Sequence, residues 1–417
     1  MPNYLDIFAG AGGLSEGFLR ANFDPVAHIE MDPAACYTLK TRLAYKWLLN
    51  NQQENIYEDY ISARITRDAL YGAVPEDLLN SVLNYEISKE NLDEIFEQVD
   101  ARLNGNALDL IVGGPPCQAY SLVGRARDEN GMVGDARNYL YILYAEFLTR
   151  YHPRYFVFEN VVGLLSAKDP DGELYFSKMQ RLFRECGYSI EYRVLNAKDY
   201  GILQNRNRII LIGKYGNHTN FYPTITPVPN LYTVQEIFAD LPILHAGEGE
   251  YTPVRTVHYG GQYLYDAHIK RYDTEPVTFH CSRPHTNQDL EIYRLVVELW
   301  NNEHQRLSYA DLPAKLRTQK NLNSFLDRFK VVSSDLHYSQ TVVAHISKDG
   351  HYFIHPDINQ NRSLTPREVA RLQTFPDDYY FESVSGRPSR TTAFKQIGNA
   401  VPVLLAEKIA TALLEVW

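Results

Sequence analysis

Five short apolar runs, each ending close to a glycine or an acid, are spaced by stretches long enough for helices, and this spacing leaves few folds open. The runs are YLDIFAG (Tyr4 to Gly10), VAHIEMD (Val26 to Asp32), LDLIVGG (Leu108 to Gly114), YFVFENV (Tyr155 to Val161) and RIILIG (Arg208 to Gly213). Near-continuous apolar runs between amphipathic segments are what strands buried on both faces of a parallel sheet look like. The chain is therefore predicted to be α/β, with a doubly wound, mostly parallel sheet whose functional groups stand at the carboxyl ends of the strands.

A chain of 417 residues is long for one core and points to two lobes. Residues 41–105 read as a charged helical insertion without a buried-strand run, with helix starts near Pro75 and Ser88. The formal charge of -10 looks awkward for a partner of nucleic acid, but residues 51–100 hold twelve Asp or Glu against three Lys or Arg, so one segment carries nearly all of it. Such a segment can face away from a polyanion. After Gly213 the stretch Asn217 to Asn230 is rich in Pro, Thr and Asn, as a linker would be. The expected division is a catalytic domain at 1–215, a loop-rich second domain at 216–390, and a segment at 391–417 whose helix after Pro402 returns to the first domain. No apolar run is long enough to cross a bilayer, and the first residues have neither the basic flank nor the apolar core of a signal peptide, so a cytoplasmic address is expected. Four cysteines without a CxxC pair argue against a disulfide framework or a Cys-rich metal site.

Three motifs carry candidate chemistry. Phe8, Gly10, Gly12, Gly13 and Leu14 belong to a glycine-rich turn between a strand and a helix, where backbone N–H groups can approach a ligand. A nicotinamide fingerprint would place Gly or Ala at position 15, which is Ser. Glu30, before Met31, ends the next strand as an acid suited to ribose hydroxyls. Cys117 follows Pro115 and Pro116, a rigid turn that suits a nucleophile and poorly suits a buried packing residue. Glu159, before Asn160, leaves an apolar strand as a candidate proton donor. Gln204, Arg206 and Arg208 alternate, as residues sharing one strand face do, and their guanidinium groups are candidates for holding a base carbonyl or a phosphate.

In order along the chain, DIFAGAGGLSEGF, the acid of IEMD, GGPPCQAYS, FENV, QNRNR, RSLTPREVARLQTFPDDY and QIGNAVP resemble the DNA cytosine-5 methyltransferase family. The resemblance implies a Rossmann-like fold that binds S-adenosylmethionine, with a target-recognition domain after it. It places Phe8, Gly10, Gly12, Gly13, Leu14, Glu30, Met31, Pro115, Asn399 and Val401 at the cofactor. Cys117 becomes the nucleophile, Glu159 the partner of the cytosine N3 edge, and Arg206 and Arg208 the residues that hold the base and support the loop. Gln118, Ser121, Asn160 and Gln204 fall to substrate and loop. In the family an acid after the third strand contacts the adenine, and the acidic insertion obscures its position here. Met31 stands where an aromatic ring often covers the adenine.

The reaction so implied adds a thiolate to C6 of a flipped-out cytosine and needs no metal. Its partner would be double-stranded DNA, in a monomer acting apart from any cognate restriction endonuclease. A tRNA cytosine-5 methyltransferase shares the motifs, and the long, Tyr-rich variable lobe favours DNA. An NAD-dependent oxidoreductase would leave Cys117 and the paired arginines unexplained.

Overall fold

Seven strands form one sheet in the order β3-β2-β1-β4-β5-β7-β6. They are β1 (Asn3–Ile7), β2 (Asp24–Glu30), β3 (Val82–Asn84), β4 (Leu110–Gly113), β5 (Tyr155–Asn160), β6 (Tyr188–Asn196) and β7 (Asn207–Tyr215). The computed structural model describes residues 1–116, 139–256, 260–319 and 325–417. All five runs singled out above are strands, and alternation along them sends side chains to two cores. Tyr4, Leu110, Val157 and Ile210 enter one, while Leu5, Ile111, Phe156 and Leu211 enter the other.

One reading is corrected, and one strand was not foreseen. The 41–105 segment contains a strand after all: β3 pairs in parallel with β2, Val82 opposite His28 and Asn84 opposite Glu30. Three residues are too few to display a period, so the strand is invisible in an acidic context. The edge strand β6 was not anticipated because its middle, Tyr192 to Val194, is exposed and interrupts the apolar pattern. Its neighbour β7 runs antiparallel to both β5 and β6, so the sheet is mostly parallel, as expected.

Helices α1 (Gly13–Arg20), α2 (Pro33–Asn50), α3 (Glu54–Ile61), α4 (Arg67–Tyr71), α5 (Glu76–Asn80) and α6 (Leu92–Leu103) precede β4. The last begins one turn beyond Ser88, with Asn91 at its N-cap. Next come α7 (Leu140–Tyr151) and α8 (Tyr175–Glu185) around β5. Beyond β7 the chain is mostly loop, with α9 (Gln262–Asp266), α10 (Asn287–Glu303), α11 (Pro366–Leu372), α12 (Arg390–Asn399) and α13 (Val403–Glu415). A separate core gathers on α10 around Tyr293, Val297, Trp300 and Phe329. The final helix, α13, lies along α1. Among the described residues only Arg390–Glu415 is long and apolar enough to span a bilayer, and it is broken at Ala400 to Pro402 and largely buried.

Because β1 and β4 are neighbours, the crevice at their carboxyl ends brings the glycine turn beside the Gly113 to Pro116 segment. Connections leave β1 and β4 toward opposite halves of the sheet, and such a switch point is where open α/β sheets bind ligands.

Candidate active site

At the end of β1, Phe8 has φ 60, Gly10 φ 56 and Gly12 φ 82, so the chain turns through three left-handed residues. For a phenylalanine this is a strained conformation of the kind concentrated at ligand sites. A Cβ at Gly10 would meet nothing within 4 Å among the described residues, whereas one at Gly13 would sit 2.4 Å from the Val401 carbonyl oxygen. The turn is thus open outward and closed against the segment before α13. Glu30 ties it to β2: its Oε2 accepts from Gly10 N and its Oε1 from Asp32 N, both at 2.8 Å. Burial raises the Glu30 carboxyl above its ordinary pKa. On the same sheet face, two residues before Phe8, Asp6 is fully buried, and neither carboxylate oxygen has a partner among the described residues. Burial and the nearby Glu30 push its carboxyl well up. An open glycine cradle beside the buried Asp6 and the half-buried Glu30 fits a ligand with hydroxyls and positive charge, such as the ribose and sulfonium of S-adenosylmethionine.

The remaining cofactor candidates behave differently from one another. Leu14 sends its side chain into the core, leaving its backbone to the turn. Met31 is 51% exposed beside Glu30. Asn399, the last residue of α12, is exposed at the cleft, and Val401 is buried against Gly13. With β3 located, the acid that follows the third strand is Glu86, two residues beyond Asn84.

At the end of β5, Glu159 stands against Gly114. A Cβ there would come 2.5 Å from Glu159 Oε2, so only glycine leaves the carboxylate its place. Arg208 holds the other oxygen, with Nε 2.6 Å from Oε1 and both side chains 12% exposed. Asn160 is buried and donates to the Pro115 carbonyl at 3.3 Å, which fixes the segment leading into position 117. Cys117, Gln118 and Ser121 lie outside the described residues. The other three cysteines have thiols shifted against nucleophilic use: burial pushes Cys36 up to about 12 and Cys281 up to about 11, and raises Cys186.

Gln204 and Arg206 do not share a strand face with Arg208, because β7 starts only at Asn207. Gln204 is buried, donates to the Leu372 carbonyl and Gln373 Oε1, and accepts from Val342 N. Arg206 is buried too, donating to the carbonyls of Val342, Gly398 and Ala400. It joins β7 to the chain on both sides of the cleft. Sequence reasoning also missed Tyr379, whose hydroxyl donates to the Ala11 carbonyl at 2.6 Å. Tyr379 ends the RSLTPREVARLQTFPDDY block of the family resemblance, but nothing local marks its contact with a turn more than three hundred positions away.

A cleft of about 1750 Å³ runs from Asp32 and Asn399, past Arg206 and Arg208, to Arg306, Arg328 and the stretch from Tyr338 to Asp349. An α/β sheet with a glycine cradle at its switch point, an acid and a cation at the end of a neighbouring strand, and a long cleft beyond them gives room for two ligands side by side.

The family model for C-5 cytosine-specific DNA methylases matches residues 3–75 and 81–415. The chain is 37% identical to Type II methyltransferase M.Bpa9945I of Bacillus paralicheniformis, across 99% of this chain and 98% of the relative. It is 29% identical to Type II methyltransferase M.DdeI of Desulfomicrobium norvegicum, across 98% and 87%. An E. coli prophage protein described as a DNA modification methyltransferase shares the fold with TM-score 0.62 and 22% identity, over 100% of this chain and 99% of that one. The chain belongs to the C-5 cytosine-specific DNA methylase family, and its activity is transfer of a methyl group to C5 of cytosine in DNA.

Proposed function

We propose that the protein methylates one cytosine within a specific double-stranded DNA sequence, using S-adenosylmethionine, and is the modification half of a type II restriction-modification system, acting as a cytoplasmic monomer apart from its endonuclease. The observation that carries the site assignment is the Glu159 to Arg208 pair, set against Gly114 at the root of the Pro115-Pro116 turn. It puts a fixed carboxyl beside the segment that ends in Cys117, next to the glycine cradle.

The glycine turn, Glu30, Met31, Pro115, Asn399 and Val401 hold the cofactor, and Glu86 is the acid for its adenine. When bound, S-adenosylmethionine supplies an electrophilic methyl group. The Cys117 thiolate adds to C6 of the extruded cytosine while Glu159 donates a hydrogen bond or proton to N3, which makes C5 electron-rich. After methylation a base takes the C5 proton, the C5–H electron pair forms the C5–C6 double bond, and the C6–S bond breaks with its pair leaving on sulfur as the thiolate, N3 giving back any proton it received. Arg208 keeps Glu159 in register, and Arg206 and Gln204 hold the segments that border the base. Gln118, Ser121 and Asn160 serve the loop around the cysteine. Extrusion costs a few kcal/mol of stacking, which contacts along the cleft must offset. Residues 216–390 form the domain that supplies those contacts, with 1–215 and 391–417 carrying the cofactor and chemistry.

Two variants test the nucleophile. Cys117→Ser and Cys117→Ala should bind S-adenosylmethionine as the wild type does, by calorimetry, and leave no C5-methylcytosine in host DNA by bisulfite sequencing. Retained methylation by the alanine protein would overturn the assignment. Parallel methyl-transfer assays on duplex DNA and tRNA should give product from the duplex alone.

A further inference from the structure

The second lobe presents cations of two kinds to the cleft. Arg306 and Lys348 are exposed, and among the described residues neither has an ion-pair or side-chain hydrogen-bond partner. Arg328 is half-buried and held: Nη2 donates to the Asp349 carboxylate and approaches His345 Nε2 at 2.5 Å. The Arg328 guanidinium lies over the Phe325 ring, 5.9 Å from Cζ to the centroid. The brace is itself braced. Asp349 Oδ1 accepts from His351 N at 3.2 Å, and Arg283 donates to the carbonyls of Ile346, Ser347 and Lys348, immediately before Asp349. No described residue takes the two protons of Arg328 Nη1.

Phosphates are met by mobile cations and carry no sequence information, whereas reading a base edge requires a donor fixed in position. With Nη2 committed to Asp349 and His345 and Nε buried, the Nη1 protons are the ones left for an acceptor, and guanine, with both O6 and N7 accepting in the major groove, is the base that presents two. We propose that Arg328, braced by Asp349, reads a guanine of the recognition sequence, while Arg306 and Lys348 contact phosphates. This rests on the reading of the cleft as the duplex channel.

The test is methylation of a random-sequence duplex library by the full-length protein and its variants, followed by bisulfite sequencing. Wild type should require guanine at one position. Arg328→Lys, which retains the Asp349 ion pair and so guards against misfolding, and Arg328→Ala should each lose preference at that position alone, by roughly 5- to 150-fold. Asp349→Asn should relax the same position less. Arg306→Ala and Lys348→Ala should lower methylation alike across all sequences. Cofactor affinity and the melting temperature of each variant establish that it is folded. A folded Arg328→Lys protein with the wild-type preference, or one weakened equally at every sequence, would overturn the proposal while leaving the function intact. A wild-type protein yielding no C5-methylcytosine would overturn both.

Discussion

Glu159 and Arg208 illustrate how the polypeptide holds a reactive group without freezing it: one ion pair at 2.6 Å, partly open to the cleft, with the opposite oxygen against Gly114. Replacing the acid by its amide preserves size but removes the charge paired with Arg208 and the capacity to pass a proton to N3. Glu159→Gln should therefore lower kcat by roughly 10²- to 10⁴-fold with little change in cofactor affinity, measured by single-turnover methyl transfer and calorimetry. A second residue-scale expectation concerns His28, whose Nε2 lies 2.7 Å from Ser15 Oγ, which in turn lies 2.5 Å from the Tyr4 hydroxyl. Burial lowers its pKa to about 4. The unfolded imidazole takes a proton as pH falls below the ordinary value near 6.5, and the folded one resists until about pH 4, so stability is lost in that window as pH falls. At pH 5 this amounts to about 2 kcal/mol. Urea denaturation at pH 7 and pH 5 should show His28→Gln losing about that much less than wild type. Acids at strand ends, Glu30 and Glu159, are legible in the sequence because the apolar run points to them. The tasks of Arg206, Gln204 and His28 are not, since each is defined by partners that only the fold brings near.

The strand β1, the glycine turn and α1 form one element pair with α13, and the contact depends on a missing side chain. A Cβ at Gly17 would lie 2.5 Å from both Ala406 Cβ and Glu407 N, so α13 would have to retreat. Backbone cannot swing aside as a flexible side-chain tip can. Gly17→Val should therefore cost at least about 1 to 3 kcal/mol, read as a lower urea midpoint with an unchanged slope. Movement of α13 would also disturb Val401, which closes on Gly13, so cofactor affinity should fall with it. At this scale the sequence was most informative where burial is two-sided. Strands β1, β2, β4, β5 and β7 sit inside the sheet and show as apolar runs. The two edge strands escaped notice for opposite reasons, β3 being only three residues long and β6 partly solvent-facing.

Across the whole molecule, the stretch Asp377 to Glu382 clamps the late part of the chain onto the early part. Arg42 Nη1 is 2.7 Å from Asp378 Oδ1 while its Nη2 is 2.6 Å from Glu16 Oε1, and the Tyr45 hydroxyl donates to Asp378 Oδ2 at 2.8 Å. One residue on, Tyr379 donates to the Ala11 carbonyl, and Glu382 Oε1 accepts from Thr41 and Tyr60. These partners are hundreds of residues apart in sequence, which is why neither composition nor periodicity discloses that the segment touches the cofactor turn. Asp378 is held below its ordinary pKa: burial opposes ionisation, and the Arg42 guanidinium outweighs it. Asp378→Ala leaves Arg42 buried with half its counter-charge and leaves the Tyr45 hydroxyl only its longer bond to Glu54 Oε1 at 3.4 Å. Removing one partner of a buried pair costs about 3 to 5 kcal/mol, because the remaining charge stays desolvated. Glu16 still faces Arg42, so the loss should fall toward the lower figure. Since Tyr379 would lose its neighbour's anchor, the cofactor turn should loosen as well. Calorimetry should give one cooperative transition in wild type, a lower one in Asp378→Ala, and weaker S-adenosylmethionine binding at a temperature where both are folded. Equal cofactor affinity in the two proteins would mean that the clamp stabilises the fold without positioning the turn.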